Sequence, residues 1–263
     1  MKKGVRIMAL KKASYTPVSV VMIVKNEAKN IRPCLASATW ADEIVVLDTG
    51  STDATAEICR EIGARVYHLE AWEGFGKARQ RAATYATNDW VFSLDADEIA
   101  SPELINEINF LRNNGFTHSA YRANTKSYYL GKRINYCGWQ NETHIRLYNR
   151  NQGGFNDAVV HESIVSTGSL GMLKGIIHHH TYPTKEMHIT KMTRYGDLGA
   201  QKLKSQGKTS NPAKALVRGA FTFVKMYLLK GGFLDGIHGF NLCKTTAWGT
   251  WYKYHRLWKI KES

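Results

Sequence analysis

The first hundred residues alternate between short, unbroken apolar runs and longer stretches of mixed polarity. Val18–Val24 (VSVVMIV) is a β-branched run, the pattern of a strand buried on both faces. The mixed stretch from Ala28 to about Ala38 reads as a helix. Ile44–Leu47 (IVVL) is a second buried strand and ends at Asp48. Ser51, Thr52 and Asp53 are residues that cap a helix, which the pattern places over Ala54–Ile62. Arg65–Leu69 reads as a third strand, Phe75–Ala86 as a helix, and Trp90–Leu94 as a fourth strand running into Asp95-Ala96-Asp97-Glu98. Ser101-Pro102-Glu103 then combines a cap, a proline at the first helical position and an early acid. This alternation predicts the α/β class, with a mostly parallel sheet and helices on both faces.

From about Ala120 to His180 the pattern changes. Tyr128-Tyr129-Leu130, His144–Tyr148, Val159–Val165 and Ile176–His178 are short aromatic or β-branched stretches separated by Gly and Asn. They predict a mixed, partly antiparallel extension. After Lys185 the period becomes helical, with helices over 186–206, 212–230 and 240–260. Gly207–Asn211 and Gly231-Gly232 separate them.

The chain has 263 residues, 43% hydrophobic and 22% charged, which fits a folded globular protein and excludes wholesale disorder. Cys34, Cys59, Cys137 and Cys243 are far apart with no CxxC pair, against a zinc ribbon or a disulfide scaffold and in keeping with a reducing compartment. No apolar run approaches the roughly 20 residues of a membrane span. The leader MKKGVRIMALKKASYTP is too interrupted by lysine for a signal peptide. These features predict a cytoplasmic protein.

Charge divides the chain further. Its 36 Lys/Arg and 22 Asp/Glu give +14, which points to a polyanionic partner. Residues 185–263 hold 15 basic and 4 acidic residues, and residues 1–15 hold 5 basic and none acidic. The remaining body is slightly acidic, at −2. The expected division is therefore a near-neutral body domain over 1–184 and a basic, aromatic-rich helical tail over 185–263.

In an open parallel sheet, ligands bind at the carboxyl ends of the strands. Three strands here end in polar clusters: Lys25-Asn26-Glu27, Asp48–Asp53 and Asp95–Glu98. The first strand is not followed by G-x-G-x-x-G, and no G-x-x-x-x-G-K-[ST] is present, which argues against a nicotinamide site and a P-loop. Asp95-Ala96-Asp97 at a strand end suits a hard divalent cation, Mg²⁺ or Mn²⁺, shared with substrate phosphates.

Four segments, VVMIVKNEAKNI, DEIVVLDTGSTDATAEI, GFGKARQRA and DWVFSLDADE, in this order and spacing resemble glycosyltransferase family 2. The resemblance is strongest over about residues 17–110. ETHIRLYNR, AVVHE and HHHTYPTKEMHITKMTRY are similar to a narrower bacterial group, the lipopolysaccharide inner-core glycosyltransferases, which include β-1,4-glucosyltransferases acting on core heptose. The resemblance implies a GT-A fold, Rossmann-like, with a C-terminal helical extension. It also implies a metal-dependent inverting transfer of a hexose, glucose first among the candidates, from a UDP-sugar to a lipopolysaccharide-core or other lipid-linked glycan.

Carried over by position, the resemblance places Asn26, Glu27 and Asp48 at the nucleotide, with Asp48 accepting from the base. Asp53 holds the same loop together or caps the helix after it. Lys77 and Arg79 fall near the diphosphate, with Gly74 and Gly76 allowing close approach of the backbone. Asp95 contacts the ribose or a metal-bound water, and Asp97 the metal. Glu98 is a further carboxylate beside them or an exposed one. Inversion needs a group to take the acceptor's proton. Glu142, Asp157, His161 and Glu162 are the candidates, and Glu162 is favoured because it closes the strand-like run before it. Of the three consecutive histidines, His180 is the expected metal or diphosphate ligand, ahead of His178 and His179.

The tail mixes Lys/Arg with Trp, Phe and Tyr, and Trp248, Trp251 and Trp258 fall near its end. That composition suits an anionic membrane surface at the cytoplasmic face of the inner membrane. The same aromatics would also serve helices packed on the body. Two other readings exist. A nucleotidyltransferase normally carries a Gly-rich basic loop where KNEAKN stands here. A non-catalytic anion- or nucleic-acid-binding protein would use the tail's charge, but no nucleic-acid motif accompanies it.

Overall fold

The structure, a computed structural model, describes residues 15–140, 142–157 and 162–260. It forms two compact units. The first takes in the described residues of 1–124 and 143–177, and the second those of 125–142 and 178–263.

The first unit opens as the apolar pattern predicts. Strand β1 (Val18–Val24) is followed by α1 (Ile31–Ala36), β2 (Glu43–Asp48), α2 (Thr55–Glu61), β3 (Arg65–His68), α3 (Phe75–Thr84) and β4 (Trp90–Ser93). Strand β5 (Glu98–Ala100) and helix α4 (Pro102–Asn114) come next, then β6 (Ala120–Tyr129), β7 (Lys132–Arg133), β8 (Glu142–Asn149), β9 (Gly153–Phe155), β10 (Ile164–Ser166) and β11 (Leu170–Tyr182). The main sheet has the order β3-β2-β1-β4-β8-β6-β11-β5, with β7 paired to β6. Its first four strands are parallel. Strand β8 joins β4 antiparallel, pairing Trp90 with Asn149 and Phe92 with Leu147.

Alternation along β1 sends its side chains to two cores. Val18, Val20, Met22 and Val24 pack with Ile31, Leu35, Ile58, Leu104 and Ile108, the inner faces of α1, α2 and α4. Val21 turns the other way, with Val45, Leu47 and Val91, against Ala82 of α3. Helices thus cover both faces, as the α/β reading requires. Alanines 78, 82 and 86 let α3 and the turn after it lie close to the sheet. The start of α4 is as the sequence indicated: Leu104 N donates to Ser101 Oγ at 3.2 Å, and Pro102 sits in the first turn.

Two expectations are lengthened by the structure. The strand read at Tyr128–Leu130 is the end of the ten-residue β6, and that read at Ile176–His178 lies inside the thirteen-residue β11. Both carry small or polar residues along most of their length, which removes the apolar signal. Of the strand read over Val159–Val165, residues 159–161 lie outside the described residues, Glu162 and Ser163 are not in a strand, and Ile164 and Val165 open β10.

The second unit holds α5 (Lys185–Ser205), α6 (Pro212–Val224) and α7 (Gly236–Lys259). A π-helical turn, Lys225–Leu229, and a 3-10 turn, Gly232–Asp235, join the last two. Thr184 and Asn211 cap α5 and α6 through their side-chain oxygens. Tyr129, Ile134, Cys137, Tyr182, Leu242 and Cys243 form its core. A Cβ on Gly219 would meet Trp251 Cβ at 2.9 Å, so glycine sets how closely α6 approaches α7.

Candidate active site

The carboxyl ends of β1, β2 and β4 carry the three polar clusters. Those of β1 and β2 are sewn together. Asn26 adopts φ +57, a left-handed conformation in which asparagine is one of the few tolerated non-glycine residues. Its Oδ1 accepts from Thr52 N at 2.7 Å, and its own N–H donates to Ser51 Oγ at 3.0 Å. Asp48 is buried, and its Oδ1 accepts from Ser51 N (2.8 Å), Ser51 Oγ (2.7 Å) and Gly50 N (3.2 Å). Its Oδ2 lies 3.5 Å from His68 Nδ1. Asp53 accepts from Ala28 N at 3.2 Å and from both the amide and the hydroxyl of Thr55. The Thr55 hydroxyl, with the amides, holds the Asp53 carboxyl below its ordinary range. Glu27 donates its N–H to Thr55 Oγ1 at 2.8 Å and accepts from Asn30 at 2.9 Å. Hydrogen bonds to Asn26 and Asp53 thus join the two loops, with Asp53 linking Ala28 to Thr55.

The third cluster is a charge network. The β4–β8 register, continued by one step, sets Arg146 opposite Ser93, just before Asp95. Arg146 Nη2 donates to Glu98 Oε1 at 2.5 Å, and its Nη1 stands 3.5 Å from Asp95 Oδ2. From α3, Arg79 Nη2 donates to Asp95 Oδ1 at 2.6 Å and Nε donates to Glu162 Oε1 at 2.9 Å. Its guanidinium also lies over the Phe155 ring, 5.3 Å from the centroid. Glu98 is fully buried and accepts from Asp95 N at 3.0 Å. Burial works against the charge on Arg79, but Asp95 and Glu162 outweigh it and hold the guanidinium more firmly protonated than usual. Arg146 follows the same logic, with Glu98 and Asp95 overcoming its burial. Burial, reinforced by Glu98 and Asp95, pushes the nearby Cys34 thiol well up.

The structure therefore brings Arg79, Asp95 and Glu162 together and adds two members. Arg146 was missed, though a lone arginine inside the apolar run of β8 was its signal. Glu98, read as a neighbouring or exposed carboxylate, is buried and paired, because an arginine from another strand reaches it. Asp97 lies on the same turn, half-buried. Lys77 stays on the exposed side of α3, paired with Glu73 at 3.0 Å, outside the network. Asp157 accepts from Gln80 of α3 at 2.9 Å. His161 lies outside the described residues.

Glu142, His178 and His180 belong to the second unit. Glu142 accepts from Ser127 Oγ at 3.2 Å. The His180 ring stacks on Tyr128 at 4.9 Å, and the Tyr128 hydroxyl lies 2.9 Å from His178 Nδ1.

Among the described residues, no group of three or more His, Cys, Asp or Glu side chains is arranged to hold a metal. Asp95 and Glu98 are engaged with arginines, and Asp97 is a third carboxylate on the same turn. That donor set fits a cation that takes most of its ligands from a diphosphate and water, the usual manner of Mg²⁺.

The sheet, parallel over its first four strands and covered by helices on both faces, carries an acid- and arginine-rich cluster at its strand ends. The chain belongs to glycosyl transferase family 2, whose family model matches residues 19–171, more than half of its length. It is a glycosyltransferase, and relatives that match most of the chain carry that description. An uncharacterised glycosyltransferase of Rickettsia prowazekii is 29% identical over 85% of this chain and 80% of its own. The lipopolysaccharide core biosynthesis glycosyltransferase LpsC of Rhizobium meliloti is 27% identical over 88% of each chain. Among solved structures, S. aureus TarS in complex with UDP superimposes with a TM-score of 0.46 at 16% identity, covering 92% of this chain and 91% of that one.

Proposed function

We propose that the protein is a metal-dependent inverting hexosyltransferase, moving glucose from UDP-glucose to a lipid-linked glycan of the lipopolysaccharide-core type. The carrying observation is the strand-end network that sets Asp97 beside Asp95, with Arg79 joining Asp95 to Glu162. The likeness to LpsC over most of both chains supports the choice of acceptor. A lipid-linked acceptor places the reaction at the cytoplasmic face of the inner membrane.

In this reading the loops of Asn26, Glu27 and Asp48 receive the nucleoside, and Asp48 Oδ2 is the atom turned to the base. Asp97 would hold a divalent cation, Mg²⁺ or Mn²⁺, which when bound would offset charge on the departing diphosphate. Arg79 and Arg146 fix Asp95 from two sides, so the turn bearing Asp97 is set before substrate arrives. Glu162 takes the proton of the attacking acceptor hydroxyl. The oxygen of that hydroxyl bonds to the anomeric carbon as the bond to the diphosphate breaks. The glycoside leaves with inverted configuration, and UDP carries away the leaving electron pair. Arg79 on Oε1 orients the carboxylate and leaves proton transfer to Oε2.

Release of UDP from a panel of UDP-sugars, with Mg²⁺ or Mn²⁺ and a truncated core acceptor, tests this reading. Asp97→Ala is expected to abolish transfer with an unchanged circular dichroism spectrum. Full activity of that variant in the presence of chelator overturns the metal role, and retention of anomeric configuration in the product overturns the single displacement.

A further inference from the structure

Helix α6 is apolar on two opposite sides. Ala215 and Gly219 are buried, and Gly219 abuts Trp251 of α7. Val217, Phe221, Val224 and Leu228 continue at helical spacing on the other side, and all four are exposed. The next segments add to that exposed surface. Leu216, Val217, Phe221, Leu229, Leu234 and Ile237 are each 57–75% exposed. The segments are held together beneath it. Tyr227 lies 6.3 Å from Phe233 and 5.8 Å from Phe240, and Phe223 lies 5.9 Å from Phe240. An apolar helix side normally faces a cover, and exposed apolar surface of this extent marks an interaction site.

The chemistry of the occupant follows from charge. Residues 206–260 contain nine Lys/Arg and one acid, Asp235. Asp235 is buried and accepts from the backbone amides of Asn135 and Tyr136, so it adds no anionic surface. Lys214, Arg218, Lys225 and Lys230 are exposed on the same stretch of helix as the apolar residues. A second copy of this surface would bring like charges together. A bilayer with anionic headgroups accepts the apolar side chains between its lipids and the lysines and arginines at its phosphates. No described helix is long and apolar enough to cross a membrane.

We propose that α6, the two turns after it and the first turn of α7 form a docking surface that lies in the interface of an anionic phospholipid membrane. Phe221, Leu229, Leu234 and Ile237 enter the acyl boundary, while Lys214, Arg218 and Lys225 meet the phosphates. Trp248 and Trp251 of the tail are not its centre. Trp248 stacks on Tyr252 at 5.4 Å and Trp251 on His255 at 4.9 Å, both half-buried within the helical unit. The assignment deepens the lipid-linked acceptor reading above by naming the surface that reaches the lipid.

Sedimentation of the full chain with vesicles of phosphatidylcholine, alone or mixed with phosphatidylglycerol, tests it, with UDP release in vesicle-free buffer measured in parallel. Wild type is expected to bind the mixed vesicles more tightly and to lose affinity with salt. The double substitution Phe221→Ser/Leu229→Ser should weaken binding at least about tenfold, and Lys225→Gln about fivefold on the mixed vesicles only. Both variants should keep solution UDP release. Circular dichroism checks the fold of the double variant, and Lys225→Gln carries the test if that fold is lost. Vesicle binding unchanged in both variants, or equal on the two vesicle types at all salt concentrations, overturns the proposal. So does a dimer that the double substitution dissociates, with no vesicle binding by wild type. Vesicle binding without UDP release from any UDP-sugar supports the docking surface and overturns the proposed reaction instead.

Discussion

Arg79 is the residue on which the site depends most. Its side chain is reached from one helix but touches carboxylates from two other segments, Asp95 after β4 and Glu162 before β10. Lysine keeps the charge but lacks the planar fork that serves two acceptors at fixed angles. Arg79→Lys is therefore expected to lower kcat on the order of a hundredfold, as displacement of a reacting group by about 1 Å does, with a smaller change in KM. Equal kcat in the variant would show that Glu162 needs no positioning. Glu98 makes a second residue-scale case. It is fully buried against Arg146, so Glu98→Ala removes the shorter of two carboxylate contacts from a buried guanidinium and leaves it Asp95 at 3.5 Å. The expected loss of unfolding free energy is about 3–5 kcal/mol in a denaturant titration.

Individual elements follow rules that are mostly local. Ser101, Pro102 and Glu103 start α4 as their chemistry dictates, and Ser101→Ala should remove about 1 kcal/mol of stability by thermal melting. The α6–α7 crossing is different, because nothing local announces it. Gly219 reads as a weak point in a helix, yet its missing Cβ is what lets Trp251 approach. Gly219→Val is expected to destabilise by about 1–3 kcal/mol through overpacking, despite valine's apolar character. Strands β6 and β11 were underestimated because their length comes from sheet neighbours rather than from their own residues. Thr125 and Ser127 are buried in β6, and Lys174 lies within β11.

Over the whole molecule, charge and burial set the response to solution conditions. With a body at −2 and a C-terminal segment at +11, the interactions that salt screens most are those of the C-terminal segment with anions. Acid acts through His188, which is buried between Tyr129 and Tyr182, with Lys191 nearby. Burial pushes its imidazole down to about 4 from the ordinary 6.5. Between those values the unfolded chain holds the proton and the folded one does not. The contribution is whole above pH 6.5 and is lost as pH falls toward 4. The slope reaches at most about 1.4 kcal/mol per pH unit. His188→Gln should flatten stability against pH in that window, measured by thermal melts from neutral pH downward.

Legibility in the sequence tracks the range of the forces involved. Buried β-branched runs, capping residues and the Asp-Ala-Asp turn are determined by a few neighbours each. They sufficed for the α/β class, the order of the first four strands and helices, and three strand-end clusters. The four motifs sufficed for the family. Tertiary structure alone decided what those polar residues touch. It put Arg146, 48 residues along the chain, against Glu98, and tied Glu162 to Arg79. It also turned one apolar side of α6 inward and left the other exposed. A sequence shows that a side chain is charged or apolar, but only the packed chain determines which counter-charge or cover comes within a few ångströms, where those energies are set.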